Sequence, residues 1–521
     1  MKKKLFLILT ALMVISISGC KKEFDDLEKD QNRPTNVPPY LVLNGILSDI
    51  TYKSFNPTQR WNQFYCCNYN YYGNQEYNWN SGSTYSTYSS LTNVLKMEQE
   101  AERSGLASPN AYTALGKFFR AYLYYNLTMQ LGDVPMTEAL KGIDNLKPKY
   151  DSQKEVFKQI LKWLEESNDE INTITSKGAY SLSSDYFYNN DLRKWRMAVN
   201  SFKLRVLMQL SKHENDADLN VKQKFADVIS NPGKYPIFTT MSDNMVWVPN
   251  SSFDKYPTNP DNFGFDATRY NMASTYLNTL AGLKDPRTFF VAEPADSFLR
   301  AGKLPTDHAA FNGAGSGEDL AVMSTNALKG IYSYMNRKRY YSTYTAENII
   351  QIGYSEQCYN IAEAINRGWV SGNAEDYYTK GIQSSISFYG IVAGANTVTF
   401  QKKGGTLSES EYFSINYDWN TYYNQSSVKY AGNSQAGLNQ ILTQKYLAFY
   451  QNSGAEAYYT WRRTSVPTFH TGPGTANSQK IPLRFSYPAA ENNVNTVNLK
   501  AAISSQYAGG DDINEKMWII K

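Results

Sequence analysis

The side chains that could carry out a reaction are few. His213, His308 and His470 are the three histidines among 521 residues. None stands at the i, i+4 spacing by which a helix presents two imidazoles to zinc. No G-x-S-x-G turn is present to expose an activated serine. The segment GAGSGED at Gly313 has the glycines of a phosphate cradle without its Lys-Ser/Thr, so it reads as a loop. GGDDINE near Gly509 offers oxygen ligands without the spaced acids of a calcium loop, and reads as a surface turn. Cys66, Cys67 and Cys358 show no Cys-x-x-Cys or Cys/His metal spacing, and the adjacent pair is a poor disulfide. Two carboxylates about 5–10 Å apart would suffice for glycoside hydrolysis, a separation that a sequence does not display. No catalytic residue, metal ligand or cofactor is assigned, and the chain is read as not an enzyme.

The fourth cysteine has a different setting. Lys2, Lys3 and Lys4 precede an uncharged, mostly apolar stretch from Leu5 to Ser18, which ends Ile17-Ser18-Gly19-Cys20. That stretch has signal-peptide length and is short of the roughly 18–20 residues that span a bilayer. The ending resembles the lipobox of bacterial lipoproteins, in which the cysteine thiol is alkylated by diacylglycerol, the chain is cut before it, and the freed amine is acylated. Each buried methylene contributes about 0.8 kcal/mol, so three acyl chains on Cys20 would hold the protein essentially permanently. Residues 1–19 are therefore read as a signal peptide, and 20–39 as a lipidated N-terminus and tether. The tether mixes charges and carries Pro34, Pro38 and Pro39, a composition that cannot build a core.

Without the leader's three lysines, 49 basic residues face 48 acidic ones. A net charge this close to zero, with no basic block, removes the electrostatic basis for nucleic-acid binding. The excess is aromatic: 42 Tyr, 24 Phe and 9 Trp, many set among Asn, Ser and Gly, as in FYCCNYNYYGNQEYNWN from Phe64 to Asn80. Tyr and Trp present rigid, half-apolar faces with a polar tip, suited to amphipathic ligands such as sugars. Trp79 with Tyr71, Tyr72 and Tyr77, and Trp247, Phe263 and Tyr270 from the central loops, are the candidate ligand contacts. Trp61 and Trp163 read as core. Because no helical apolar period surrounds Trp79, it is expected to lie outside the core.

These residues need a frame, and apolar periodicity supplies it. Leu115, Phe118, Tyr122, Tyr125 and Met129 recur every three or four residues, with Phe119, Leu123 and Leu127 as a second stripe, up to a stop at Gly132. Further helices are expected over 40–50, 88–103, around Val156–Leu164, Trp195–Val206, 357–367, from Ala374, 435–452 and 455–461. Ala362, Ala364 and Ala374 allow close crossings. Arg462 and Arg463, at a helix end, suit a structural role on carbonyl groups. The stretches of about 231–345 and 396–432, and a third near the end, are punctuated by Pro, Gly, Asn and Asp and read as long loops, where binding and interfaces concentrate. The expected fold is mainly α: a tetratricopeptide-like scaffold of helical hairpins, with irregular insertions forming a ligand face, in one domain over 40–521.

The lipobox, DQNRPTNVPPYLVLNG, GKFFRAYLYYNLTMQLGDVPMTEAL, KWRMAVNSFKLRVLMQLS, LKDPRTFF, AEAINRGWVSGNAEDYYTKGI, YYTWRRTSVP and IPLRFSYPAAENNVN together resemble, in order, the SusD/RagB lipoproteins, particularly their second SusD-like branch. The resemblance implies a tetratricopeptide-like scaffold seated as a lid on a SusC-like TonB-dependent β-barrel transporter. It implies an outer-membrane, lipid-anchored protein facing the cell exterior that captures oligosaccharides for uptake. Peptides are the alternative ligand, and a structural surface lipoprotein a further reading. The acids after Cys20 are similar to the surface-export signal of such lipoproteins, or are a plain solvated linker. No motif of the family carries its ligand contacts onto this chain.

Overall fold

The computed structural model describes residues 36–80, 85–508 and 510–521. The signal-peptide, Cys20 and most of the tether readings fall outside them. The first described helix, Pro39–Asp49, begins at the last residue of the expected tether.

The periodic segments are the observed helices. Asn110 caps Ala111–Leu131, its side-chain oxygen accepting the Tyr112 and Thr113 N–H groups, and Gly132 ends it at φ +92°. Its two stripes are both buried, because Thr87–Arg103 and Gln153–Ser176 pack on it from two sides. Leu192–Gln209 lies against Gln153–Ser176 and carries the buried Trp195, whose Nε1–H donates to Asp185 at 2.8 Å. Tyr354–Asn366 and Ala374–Phe388 make a second hairpin, with Gln435–Ala448 packed on both. Ala362, Ala364 and Ala374 are buried there as expected. At Gly381 a Cβ would stand only 2.7 Å from the Tyr359 ring, so a side chain would force the two helices apart.

Charge is buried between the hairpins. Arg205 meets Glu356 with both exposed by only 4%, and Arg463 donates to both carboxylate oxygens of Glu363 at 2.6 and 2.9 Å. Burial alone would raise the Glu363 carboxyl, but Arg463 and Arg367 hold it down to about 2. Arg462 donates to the carbonyl oxygens of Met129 and Leu483, each at 2.8 Å, which is the carbonyl role read from the sequence. The C-terminal residues close the first hairpin. Glu456 accepts from Tyr125 at 2.9 Å, and Gln153 accepts the Ile519 N–H at 3.0 Å.

The regions read as long loops contain more regular structure than expected. Residues 231–345 hold the helices Ser274–Gly282 and Leu320–Leu328 and two short strands, Met245–Trp247 and Tyr270–Met272. Residues 396–432 are not a loop throughout. Gly394–Gln401 pairs antiparallel with Ser410–Tyr417, Val398 facing Phe413. Val398, Phe400, Ile415 and Tyr417 point inward at every second position, a two-residue alternation present in the sequence that turn residues on either side obscured.

Candidate functional site

Tyr65–Cys67 pairs antiparallel with Tyr270–Met272, bringing together two segments of the chain about 200 residues apart that both carry candidate contacts. Beyond the first strand the chain makes a tight turn at Asn70–Tyr72, with the Tyr72 N–H on the Tyr69 carbonyl at 3.0 Å. The buried Gln75 fastens the far end, its carboxamide accepting the Cys67 N–H at 2.7 Å and donating to the Cys67 carbonyl at 2.8 Å. Asn68 donates to the Thr268 carbonyl and to the Asn271 side chain. The loop is thus held at both ends and throws its tyrosines outward.

The result is a shelf of tyrosines. Tyr71 is 82% exposed and Tyr69 51%. The Tyr71 ring lies 5.0 Å from Tyr72, which lies 6.1 Å from Tyr69 and 6.3 Å from Tyr270. The Arg269 guanidinium sits 5.0 Å over the Tyr69 ring, and its charge also reaches the half-buried Tyr334. Arg337 covers Tyr334 at 4.8 Å and is held in place by Glu293, which accepts from its Nε at 3.0 Å and Nη2 at 2.7 Å. Tyr334 and Arg337 in turn line a cavity of about 260 Å³ with Tyr332, Phe400 and Phe413. Tyr334 pairs through its backbone with Asn271, next to Tyr270, so rings and guanidinium groups lead from the exposed Tyr71 to this half-open recess.

Of the candidate contacts, Tyr71, Tyr72 and Tyr270 are brought together, and Phe263 is half-buried, packed against Tyr341 at 5.8 Å. Tyr77, Trp79 and Trp247 are not on the shelf. Trp79 is 3% exposed, stacked on Phe485 and flanked by Trp61, Tyr77 and Tyr458. The expectation that it lies outside the core is corrected: Phe485, on which it stacks, and Tyr458 come from the far end of the chain, so no local period announces them. Tyr77 is 1% exposed, its hydroxyl donating to the Trp61 carbonyl at 2.9 Å. Trp247 is buried in its short strand, its Nε1–H donating to Asp254 at 2.9 Å beneath Lys53. Trp61 and Trp163 are half-buried against the core, Trp163 stacked on Tyr124 at 5.6 Å. Tyr69, Arg269 and Tyr334 were not singled out from the sequence. Only Tyr69, in the same aromatic run as Tyr71, carried a sequence signal.

A larger recess of about 470 Å³ lies where residues 284–308 meet 414–425. Its aromatic walls, Phe289, Tyr417 and Tyr422, are buried, so none offers an exposed ring like that of Tyr71. His308 meets Phe289 edge-on at 4.5 Å, with Nε2 at 3.1 Å from the Asp285 carbonyl oxygen, and burial lowers its pKa. Cys66, Cys67 and Cys358 are unpaired and buried, and burial pushes the thiols of Cys66 and Cys358 to about 12 and Cys67 to about 11, away from the reactive thiolate.

Residues 31–488 match the second SusD-like family, described as starch-binding and associating with the outer membrane. The chain belongs to this SusD-like family. An outer-membrane protein from Bacteroides vulgatus, described as involved in nutrient binding, is 30% identical, with 93% of this chain and all of that one covered at a TM-score of 0.77. A SusD homologue from Bacteroides fragilis is 28% identical over the same shares, at 0.79. A chitin-binding protein, at 22% identity and 0.68, shares the fold over 93% of this chain. No curated protein matches. The SusD-like fold is the helical one expected, and the family comprises nutrient-binding proteins associated with the outer membrane. Among the described residues no helix is long and apolar enough to cross a membrane.

Proposed function

We propose that this SusD-like chain is a surface lipoprotein, anchored through Cys20, that captures an oligosaccharide on the tyrosine shelf. It passes the ligand to a SusC-like TonB-dependent barrel and performs no catalysis. The observation that carries this reading is Tyr71: a tyrosine exposed over most of its surface, 5.0 Å from a second ring and held on a turn fastened by Gln75. An apolar ring kept facing water on a braced loop is placed for a ligand's face rather than for the core. The shared fold with a chitin-binding protein supports a glycan.

Titration of the purified mature protein against oligosaccharides and peptides, with Tyr71→Ala alongside, tests the reading. Saturable glycan binding weakened by the substitution is expected, whereas binding to peptides alone would overturn it. Recovery of a TonB-dependent barrel with the protein from detergent-solubilised membranes tests the partner.

A further inference from the structure

The shelf carries charge that the fold does not use. Most half-buried arginines among the described residues have a carboxylate partner: Arg120 has Glu98, Arg337 has Glu293, Arg339 has Glu347 and Arg367 has Glu363. Arg196, which has none, spends its donors on Asn168, Asn172 and the Lys234 carbonyl. Arg269 does neither. Its side chain makes no hydrogen bond among the described residues, and its Nε is buried without a partner. The nearest acid in sequence, Asp266, accepts the Arg269 backbone N–H on its carbonyl, while its carboxylate accepts from Tyr341 at 2.7 Å.

On the other side of the shelf Arg60 repeats the pattern. It reaches only the Tyr65 hydroxyl at 3.3 Å and the Cys67 sulfur at 3.6 Å, with its own Nε buried and unpartnered. It lies under Gly73, the residue that follows the Asn70–Tyr72 turn. A guanidinium partly withdrawn from water and given no counter-charge is costly unless something else supplies one.

We propose that the ligand of the shelf is an acidic oligosaccharide, whose carboxylate or sulfate is taken by Arg269, with Arg60 as a second cation, while its sugar ring lies on Tyr71 and Tyr72. The Arg269 guanidinium, 5.0 Å over the Tyr69 ring, is a planar fork whose donors no side chain takes up, and a two-oxygen anion matches such a fork in a way that an ammonium group does not reproduce. This deepens the reading of the shelf as a glycan site and rests on it.

The test uses matched probes on the mature protein. Oligogalacturonides are compared with their methyl esters for the carboxylate, and dextran sulfate with dextran for the sulfate. Each is titrated into wild type, Arg269→Gln, Arg269→Lys, Tyr71→Ala and Arg193→Gln, the last an exposed arginine far from the shelf in sequence. Thermal melts accompany every variant. At least one anionic probe is expected to bind at least tenfold more tightly than its neutral partner. Arg269→Gln should remove that advantage, Arg269→Lys restore part of it, and Arg193→Gln leave it unchanged. Raising the salt should weaken binding. The proposal is overturned if no anionic probe exceeds its neutral partner, or if Arg193→Gln costs as much as Arg269→Gln. It is also overturned if only acidic peptides bind. If neutral probes bind independently of Arg269 but Tyr71→Ala still weakens them, the anion fails and the glycan shelf stands. If Tyr71→Ala is also silent, both fall.

Discussion

The indole of Trp79 lies flat on the ring of Phe485, with centroids 4.1 Å apart and planes 4° from parallel. Trp61 and Tyr458 meet it edge-on at 5.0 and 5.1 Å. Three separate stretches of chain are joined in this cluster. Trp79→Ala is therefore expected to destabilise the fold by about 3–5 kcal/mol, the usual cost of emptying a large aromatic site in a core. Urea unfolding measures it. A loss under about 1 kcal/mol would mean that the site collapses without cost.

Tyr71→Ala should behave in the opposite way. The side chain is mostly in water, so stability should move by no more than about 0.5 kcal/mol. Ligand affinity should fall on the order of tenfold to a hundredfold, taking about 1–3 kcal/mol for one lost ring platform. Calorimetric titration and a melt on the same preparation separate the two effects.

Gly73 has φ +127°, and a Cβ there would stand 2.7 Å from the Arg60 guanidinium carbon. Gly73→Ala should cost about 1–3 kcal/mol from backbone strain and displace Arg60 from the edge of the shelf. Adding Arg60→Ala should recover part of that loss, because the clash disappears while the strain remains. Strictly additive penalties in a double-mutant cycle would rule out the contact.

Glu363 links stability to acid. Its pKa is held near 2 in the fold and rises to about 4.3 in the unfolded chain. The stabilisation is present above the unfolded value and is lost as pH falls through the folded one, so it should drain away between about pH 4.3 and 2. Its size is about 3 kcal/mol. Unfolding free energies across that range should fall less steeply in Glu363→Gln than in wild type, although the variant starts lower. Parallel curves would place the acid sensitivity elsewhere.

Cys20→Ala should abolish fatty-acid labelling and lipoprotein-type cleavage while leaving the melt of the soluble portion unchanged. Growing cells on an alkynyl palmitate analogue gives the readout. A wild-type protein that takes up no label would remove Cys20 as the anchor.

The helices were legible because their cores are local. Phe118, Tyr122 and Tyr125 repeat on one face, and Asn110 and Gly132 mark the ends whatever the tertiary structure. The site was half legible. Tyr71 and Tyr72 sit in a polar run and do lie exposed or half-exposed at a turn. Trp79 sits in the same run only eight residues beyond Tyr71, yet the ring it stacks on, Phe485, and its neighbour Tyr458 lie in no window around it. Arg269 could not be found by composition either. What distinguishes it is a missing partner, and that is a property of where Asp266 points. The hairpin from Gly394 was legible in its alternation, but the turn residues in and around it outweighed that signal.

Glu456, Arg462, Phe485 and Ile519 all finish surfaces that begin at Tyr125, Met129, Trp79 and Gln153. A ribosome makes the second set long before the first. Until those last residues are in place the opening hairpin has one wet side, with an indole and a helix's last carbonyl groups awaiting cover. Truncation at the carboxyl end would therefore be felt first near the amino end, and a protease or chaperone would meet this chain as an open book until its final page is bound in.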